Sequence, residues 1–194
     1  RKRFINSWQY GFELFGEFPH LAEIQLISLT WKLLRAIGLE NITVEVNTIG
    51  RSETRRDYDE ALYNFLQSKK YELSNESVAA IDEDPLNIFR LKDLESQTVA
   101  SEAPQLMDYL DDESRKHFTH VLEGLDEIGM PYSLNPMLVG KSGSSRTVFA
   151  VKYKDESNEY YIGEGSYHEE LLKEISGKQM PRFGFVGYME VLQK

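Results

Sequence analysis

The stretch "NPMLVGKSGSSRTVFAVKYKDESNEYYIG", residues 135–163, separates two possible architectures. It holds Gly140-Lys141-Ser142, which is the end of a phosphate-binding loop signature. Such a loop needs a glycine, four residues, then Gly-Lys-Ser or Gly-Lys-Thr, and it joins a strand to a helix. Here Asn135 stands at the first glycine position. The next segment, "RTVFAVKY" (146–153), is rich in β-branched and aromatic residues and reads as a strand. Beyond the polar turn "KDESN" (154–158), "EYYIG" (159–163) reads as its hairpin partner. A strand where a phosphate loop requires a helix argues against that architecture. By itself, "GKSGSS" (140–145) is a flexible connection between "PYSLN" (131–135) and the hairpin.

The same alternation appears at the start of the chain. In "FINSWQYGFELFG" (4–16), Phe4, Asn6, Trp8, Tyr10, Phe12 and Leu14 fall on one face, aromatic and suited to a core. Gln9 and Glu13 share the other face, on either side of Gly11, which has no side chain to obstruct a ligand. Helical spacing continues in "LAEIQLISLTWKLLRAIG" (21–38), with Leu21, Ile24, Ile27, Trp31 and Leu34 as the apolar stripe and Gly38 as the stop. "ITVEVN" (42–47) is a strand. "SETRRDYDEALYNFLQSKK" (52–70) begins as a helix capped by Ser52. Residues 71–102 are polar, broken by Pro85, and read as short helical pieces in an insertion-like segment. "DDESRKHFTHVLEGLDEIG" (111–129) is a long helix with Phe118, Val121, Leu122 and Leu125 inward, its acidic start favourable to the helix dipole. "YHEELLKEISG" (167–177) reads as helix, and "RFGFVGYMEVLQK" (182–194) runs from strand into a final helix. The class is α+β, an antiparallel sheet flanked by helices. Residues 1–70, 71–102 and 103–194 are its expected parts.

Composition narrows the chemistry. The chain has 194 residues and no cysteine, which excludes disulfides, thiolate catalysis and cysteine-ligated zinc and fits a cytoplasmic location. No apolar run approaches the roughly 18 residues a membrane span needs. A net charge of −10 repels nucleic acid unless a local basic patch intervenes. Arg1/Lys2/Arg3 and Arg51/Arg55/Arg56 are the candidates, and solvated surface explains both more simply. His117 and His120, three apart on a helix, face the same way as a pair of metal ligands, but no third ligand is evident and no metal is assigned. Gly163-Glu164-Gly165 reads as a turn.

Taken in order, "WQYGFELFG" (8–16), "LAEIQLISLTWKLLRAIGL" (21–39), "VEVNTIG" (44–50), "RRDYDEALYNFL" (55–66), "DPLNIFRLKD" (84–93) and above all "EAPQLMDYLDDESRKHFTHVLEGLDEIGMPYSLNPMLV" (102–139) resemble the catalytic domain of histidyl-tRNA synthetase, a class II aminoacyl-tRNA synthetase. The likeness runs through "RTVFAV" to the end. It implies the class II antiparallel sheet, a homodimeric parent, and tRNA or a protein subunit as partner. Because the chain starts at Arg1 in what reads as a strand, the upstream part of that fold is expected to be missing.

The resemblance also directs attention to the arginines that offset phosphate charge in the family's reaction of histidine with ATP. Between "LV" and "RTVF" the family carries Arg-Gly-Leu-Asp-Tyr-Tyr; here the interval is one residue shorter and Gly140 matches the arginine. The family's Gly-Gly-Arg-Tyr-Asp is matched within "EGSYHE" (164–169), with Ser166 at the arginine, Tyr167 at the tyrosine and His168 at the aspartate. Near the end, Glu190 is followed by Val191 where the family has arginine. By resemblance Gln9 and Glu13 bind the amino acid, Glu13 at its ammonium group, and Tyr167 lines the imidazole pocket. No catalytic residue is assigned. The expectation is a synthetase-like domain that does not activate histidine and serves in binding or regulation, with no cofactor. The alternative is a divergent or truncated histidine–tRNA ligase, which would use ATP and magnesium.

Overall fold

Alternating side chains build a six-stranded sheet, seen in a computed structural model that describes residues 8–16, 20–51, 55–141, 143–168, 177 and 181–192. Its strands are β1 (Gln9–Phe15), β2 (Ile42–Thr48), β3 (Ser133–Leu134), β4 (Ser145–Lys154), β5 (Glu159–His168) and β6 (Arg182–Tyr188), in the spatial order β1-β6-β5-β4-β2-β3. Every neighbouring pair is antiparallel except β2–β3, which is parallel, so the sheet is mixed rather than wholly antiparallel. The hairpin read from 146–163 is the β4–β5 pair. Gly163-Glu164-Gly165 is not a turn: it lies inside β5, where added Cβ atoms at the two glycines would strike the neighbouring strand β6.

On the inner face Val46, Phe149, Val151, Ile162, Phe183 and Phe185 meet α1 (His20–Ala36) and α5 (Asp112–Glu127). Helix α1 contributes Ile24, Leu26, Ile27 and Leu34, and α5 contributes Val121 and Leu125. Leu21, assigned to the α1 stripe, is 57% exposed, and Leu26 is buried in its stead. Tyr10, Phe12 and Leu14 pack on this core as β1 alternation predicts, but Trp8, one residue before the strand, is 77% exposed. Phe4, Asn6 and the Arg1/Lys2/Arg3 patch lie outside the described residues, as do Ser52 and residues 169–176. Asp111 caps α5, accepting hydrogen bonds from the Ser114 backbone N–H at 2.9 Å and its hydroxyl at 2.7 Å, which explains the sharp start of that helix.

A second core lies across the outer face. It is formed by α2 (Arg56–Ser68), α3 (Asn75–Glu83), α4 (Leu94–Ser101) and 3₁₀ turns at Lys70–Glu72, Pro85–Phe89 and Leu106–Tyr109. Tyr58, Leu62, Leu66, Ile81, Ile88 and Val99 gather there and cover Val148 of β4. The expected short helical pieces in 71–102 are thus present. Arg51 pairs with Asp111 and Glu113, and Arg55 with Asp59, so two of the three arginines of the Arg51/Arg55/Arg56 patch have acidic partners.

Candidate functional site

The helical lobe covers only part of the outer face. Among the described residues no helix crosses the outer face of the β1–β6–β5 end, and alternation fixes what it displays. Gln9 lies opposite Tyr188 and Glu13 opposite Gly184; on the next ladder Glu164 lies opposite Val186 and Ser166 opposite Gly184. Gln9, Glu13, Glu164, Ser166, His168, Arg182 and Tyr188 therefore share this face. Tyr167 does not. As a strand neighbour of Ser166 it turns inward, 5% exposed, against the Phe183 ring at a centroid distance of 6.4 Å, with the Arg146 guanidinium 5.1 Å from its ring centre. The structure therefore brings Gln9 and Glu13 together on the outer face and sets Tyr167 on the inner one.

Where the open face meets the lobe lies a groove of ≈ 930 Å³, bordered by Arg90, Lys92, Gly140, Lys141, Tyr161 and Glu164 among others. Its cations are largely committed. Arg90 donates from Nη1 to Asp84 at 2.9 Å and from Nε to the Gly140 carbonyl at 2.8 Å. Lys141 lies 3.3 Å from Glu164. Lys152 reaches Glu45 at 2.7 Å and Glu159 at 3.7 Å; burial alone would lower its pKa, but these carboxylates hold it above the ordinary lysine value. Lys92, exposed at the rim, has no ion pair among the described residues. Burial and the adjacent Glu164 carboxylate push the Tyr161 phenol well above its usual range, so it stays a neutral donor.

Beside the groove, Arg182 donates to Glu13 at 2.7 Å. Sequence reasoning missed this arginine because 169 positions separate the partners. Next to it runs a chain of neutral hydrogen bonds. Ser144 Oγ donates to Ser166 Oγ at 2.9 Å; Ser166 Oγ lies 2.9 Å from His168 Nε2, and His168 Nδ1 lies 3.0 Å from the Gly143 carbonyl. A carbonyl only accepts, so Nδ1 carries the proton and Nε2 accepts from Ser166. Burial, then the nearby Arg182 charge, lowers the His168 pKa and favours that neutral form.

Gly140 has φ +64°, a left-handed backbone in which L side chains are strained, and a Cβ there would sit 2.8 Å from Ser144 Oγ and 3.1 Å from Val148 Cγ1. Val191 lies in the short α6 (Met189–Leu192) and packs against the inner core. Glu190 beside it accepts a hydrogen bond from the Trp8 backbone N–H at 2.7 Å, tying the start of β1 to the end of the chain.

No protein-family model matches the chain. Comparison with curated proteins and solved structures does. Over 191 residues the chain is 35% identical to a histidine–tRNA ligase of Alkalilimnicola ehrlichii, covering 98% of this chain and 44% of that protein. The S. aureus histidyl-tRNA synthetase crystal structure superposes with a TM-score of 0.76 at 23% identity, over 95% of this chain and 45% of that one. A Bacillus halodurans structure described as an ATP phosphoribosyltransferase regulatory subunit/histidyl-tRNA synthetase gives 0.61 at 19% identity, over 95% of this chain and 52% of that one. The fold is that of a class II aminoacyl-tRNA synthetase. Within that class the chain is a histidyl-tRNA synthetase-like domain, spanning less than half the length of the ligases it matches.

Proposed function

We propose that this domain does not activate histidine and works instead as a binding or regulatory domain. The observation that carries this reading is the internal neutralisation of the outer face. Arg90, Lys141, Lys152 and Arg182 each hold a carboxylate, leaving Lys92 as the cation near the groove without one among the described residues. Attack of a carboxylate on an α-phosphate crowds negative charge into one place, and the reaction needs fixed cations aimed at it. The three positions matched to family arginines offer none: Gly140 sits in a backbone that resists a side chain, Ser166 is tied into a neutral chain, and Val191 packs on the core. ATP and magnesium therefore do not suit the described residues of this face.

Gln9 and Glu13 share the outer face, an arrangement consistent with amino-acid binding by both, although Glu13 already has Arg182 as its counter-ion. This placement and the 35% identity to a ligase favour the second reading, a divergent histidine–tRNA ligase with ATP and magnesium. For the leading reading the partner is a protein subunit in preference to tRNA, since a net charge of −10 opposes RNA. A homodimeric parent and a cytoplasmic location complete the proposal; among the described residues no helix is long and apolar enough to cross a membrane.

Histidine-dependent ATP–pyrophosphate exchange on the natural polypeptide that carries these 194 residues tests the reading. The expected result is no exchange above a histidine-free control, and none in a Ser166→Arg/Val191→Arg variant. Exchange by the unaltered protein would establish the ligase; exchange only in the variant would show that Gly140 matters less than the structure implies.

A further inference from the structure

Helix α1 lies on the inner side of the sheet, behind the groove, and one of its ridges is covered for only half its length. At about 3.6 residues per turn, Ala22, Leu26, Leu29, Leu33 and Ile37 follow one another at intervals of three or four and so form that ridge. Ile37 belongs to it because its N–H still bonds to the Leu33 carbonyl at 3.1 Å, continuing the last turn. Ala22 and Leu26 are buried. The ridge then loses its cover: Leu29 is 53% exposed, Leu33 37% and Ile37 56%. Single exposed leucines are ordinary on a protein surface, whereas successive ones along one helix ridge mark a surface that takes a partner.

Charge says what kind of partner. The chain carries a net charge of −10, yet between Leu21 and Ile37 the exposed charged side chains are Lys32 and Arg35, both basic. The acidic residue of that segment, Glu23, is buried and bonded to His117. Lys32 has no ion pair among the described residues, and Arg35 lies over the Trp31 ring, 5.2 Å from its centre. We propose that the Leu29–Ile37 ridge docks an acidic amphipathic helix of a protein partner, its leucine-type side chains along the ridge and its carboxylates beside Lys32 and Arg35. Ridges of this spacing pack best against another helix. A second copy of this chain suits the ridge less well. Laying α1 on its own two-fold mate would bring the Lys32 and Arg35 cations of both copies together, between two chains of −10 each. A separate acidic helix meets those two cations directly, and at physiological salt charges more than about 8 Å away are largely screened. The surface is remote from the groove, so the proposal stands whether or not the domain activates histidine.

The test uses the natural polypeptide that carries these 194 residues and two fluorescent synthetic helices, followed by anisotropy. Both helices have leucine at their a and d positions; one is flanked by glutamate and the other by lysine. The expected result is saturable one-to-one binding of the glutamate-flanked helix and weaker binding of the lysine-flanked one. Affinity should fall at least about tenfold in a Leu29→Ser/Leu33→Ser variant, and Lys32→Glu should narrow or reverse the preference between the two helices. No saturable binding, equal binding of both helices, or unchanged affinity in the variants would overturn the proposal. So would a dimer, seen by light scattering, that the Leu29→Ser/Leu33→Ser exchange dissolves, because the ridge would then belong to a second copy. If that double variant fails to fold, Lys32→Glu, a change at an exposed position, decides by itself.

Discussion

On the inner face of the sheet, Phe149 is stacked on Phe185 at 5.6 Å and tilted to Phe183 at 5.7 Å, all buried under α1 and α5. On the outer face of the same sheet, Glu13, Glu164, Ser166, His168 and Arg182 make polar contacts with one another or with the adjoining Lys141, Gly143 and Ser144. The inner face derives its strength from non-directional burial, so any side chain of the right size and polarity serves. The outer face depends on pairwise geometry, where the exchange of one residue changes what can bind. Exchanges compatible with 35% identity to a ligase therefore matter little on the inner face if size and polarity are kept, whereas on the open side each one bears on what can bind.

The largest effect should come from the inner face. Phe149→Ala removes a fully buried ring at the centre of an aromatic cluster and should cost about 3–5 kcal/mol, read from urea unfolding. A loss below about 1 kcal/mol would show that the two faces differ less than the packing implies. Next comes the neutral chain beside the groove. Ser166→Ala leaves the Ser144 hydroxyl and His168 Nε2 without their shared partner in a site 5% exposed, at a cost of about 1–3 kcal/mol by the same assay.

His168 gives that chain a pH signature. Its folded pKa is depressed, first by burial and then by Arg182, so between that value and the unfolded value of about 6.5 the unfolded chain binds the extra proton. Stability attributable to His168 is present above about 6.5 and is lost as pH falls through the folded pKa. A His168→Gln variant should show a flatter acid limb when unfolding is followed against pH; an unchanged slope would mean the ring is not held neutral. The smallest effect belongs to the half-exposed Glu13–Arg182 pair, where Glu13→Gln should cost about 0.2–1 kcal/mol. A larger loss would mark the pair as structural and widen the contrast with an open binding residue.

How much of the molecule was legible depended on distance along the chain. Alternation in 9–15 and 146–163 gave the strands and the shared face of Gln9 and Glu13, because side-chain direction is a local property. The same rule applied to Ser166 and Tyr167 puts the tyrosine on the inner face, away from Gln9 and Glu13. The parallel β2–β3 pair and the Glu13–Arg182 bridge depend on partners far apart in sequence, which no local pattern reports. His117 and His120 were visible as a pair, but His20 and Glu23 join them only through the packing of α1 on α5. Trp8 and Leu21 lie at the edges of apolar patterns, where period alone does not tell an end that is covered from one that is open.

If the open face commits its cations to its own carboxylates, it has little left with which to hold a triphosphate. Calorimetric titration of the chain with Mg²⁺–ATP, with and without histidine, tests this most directly. No saturable heat is expected in either titration. One-to-one binding that strengthens when histidine is present would contradict that expectation and return the groove to nucleotide chemistry.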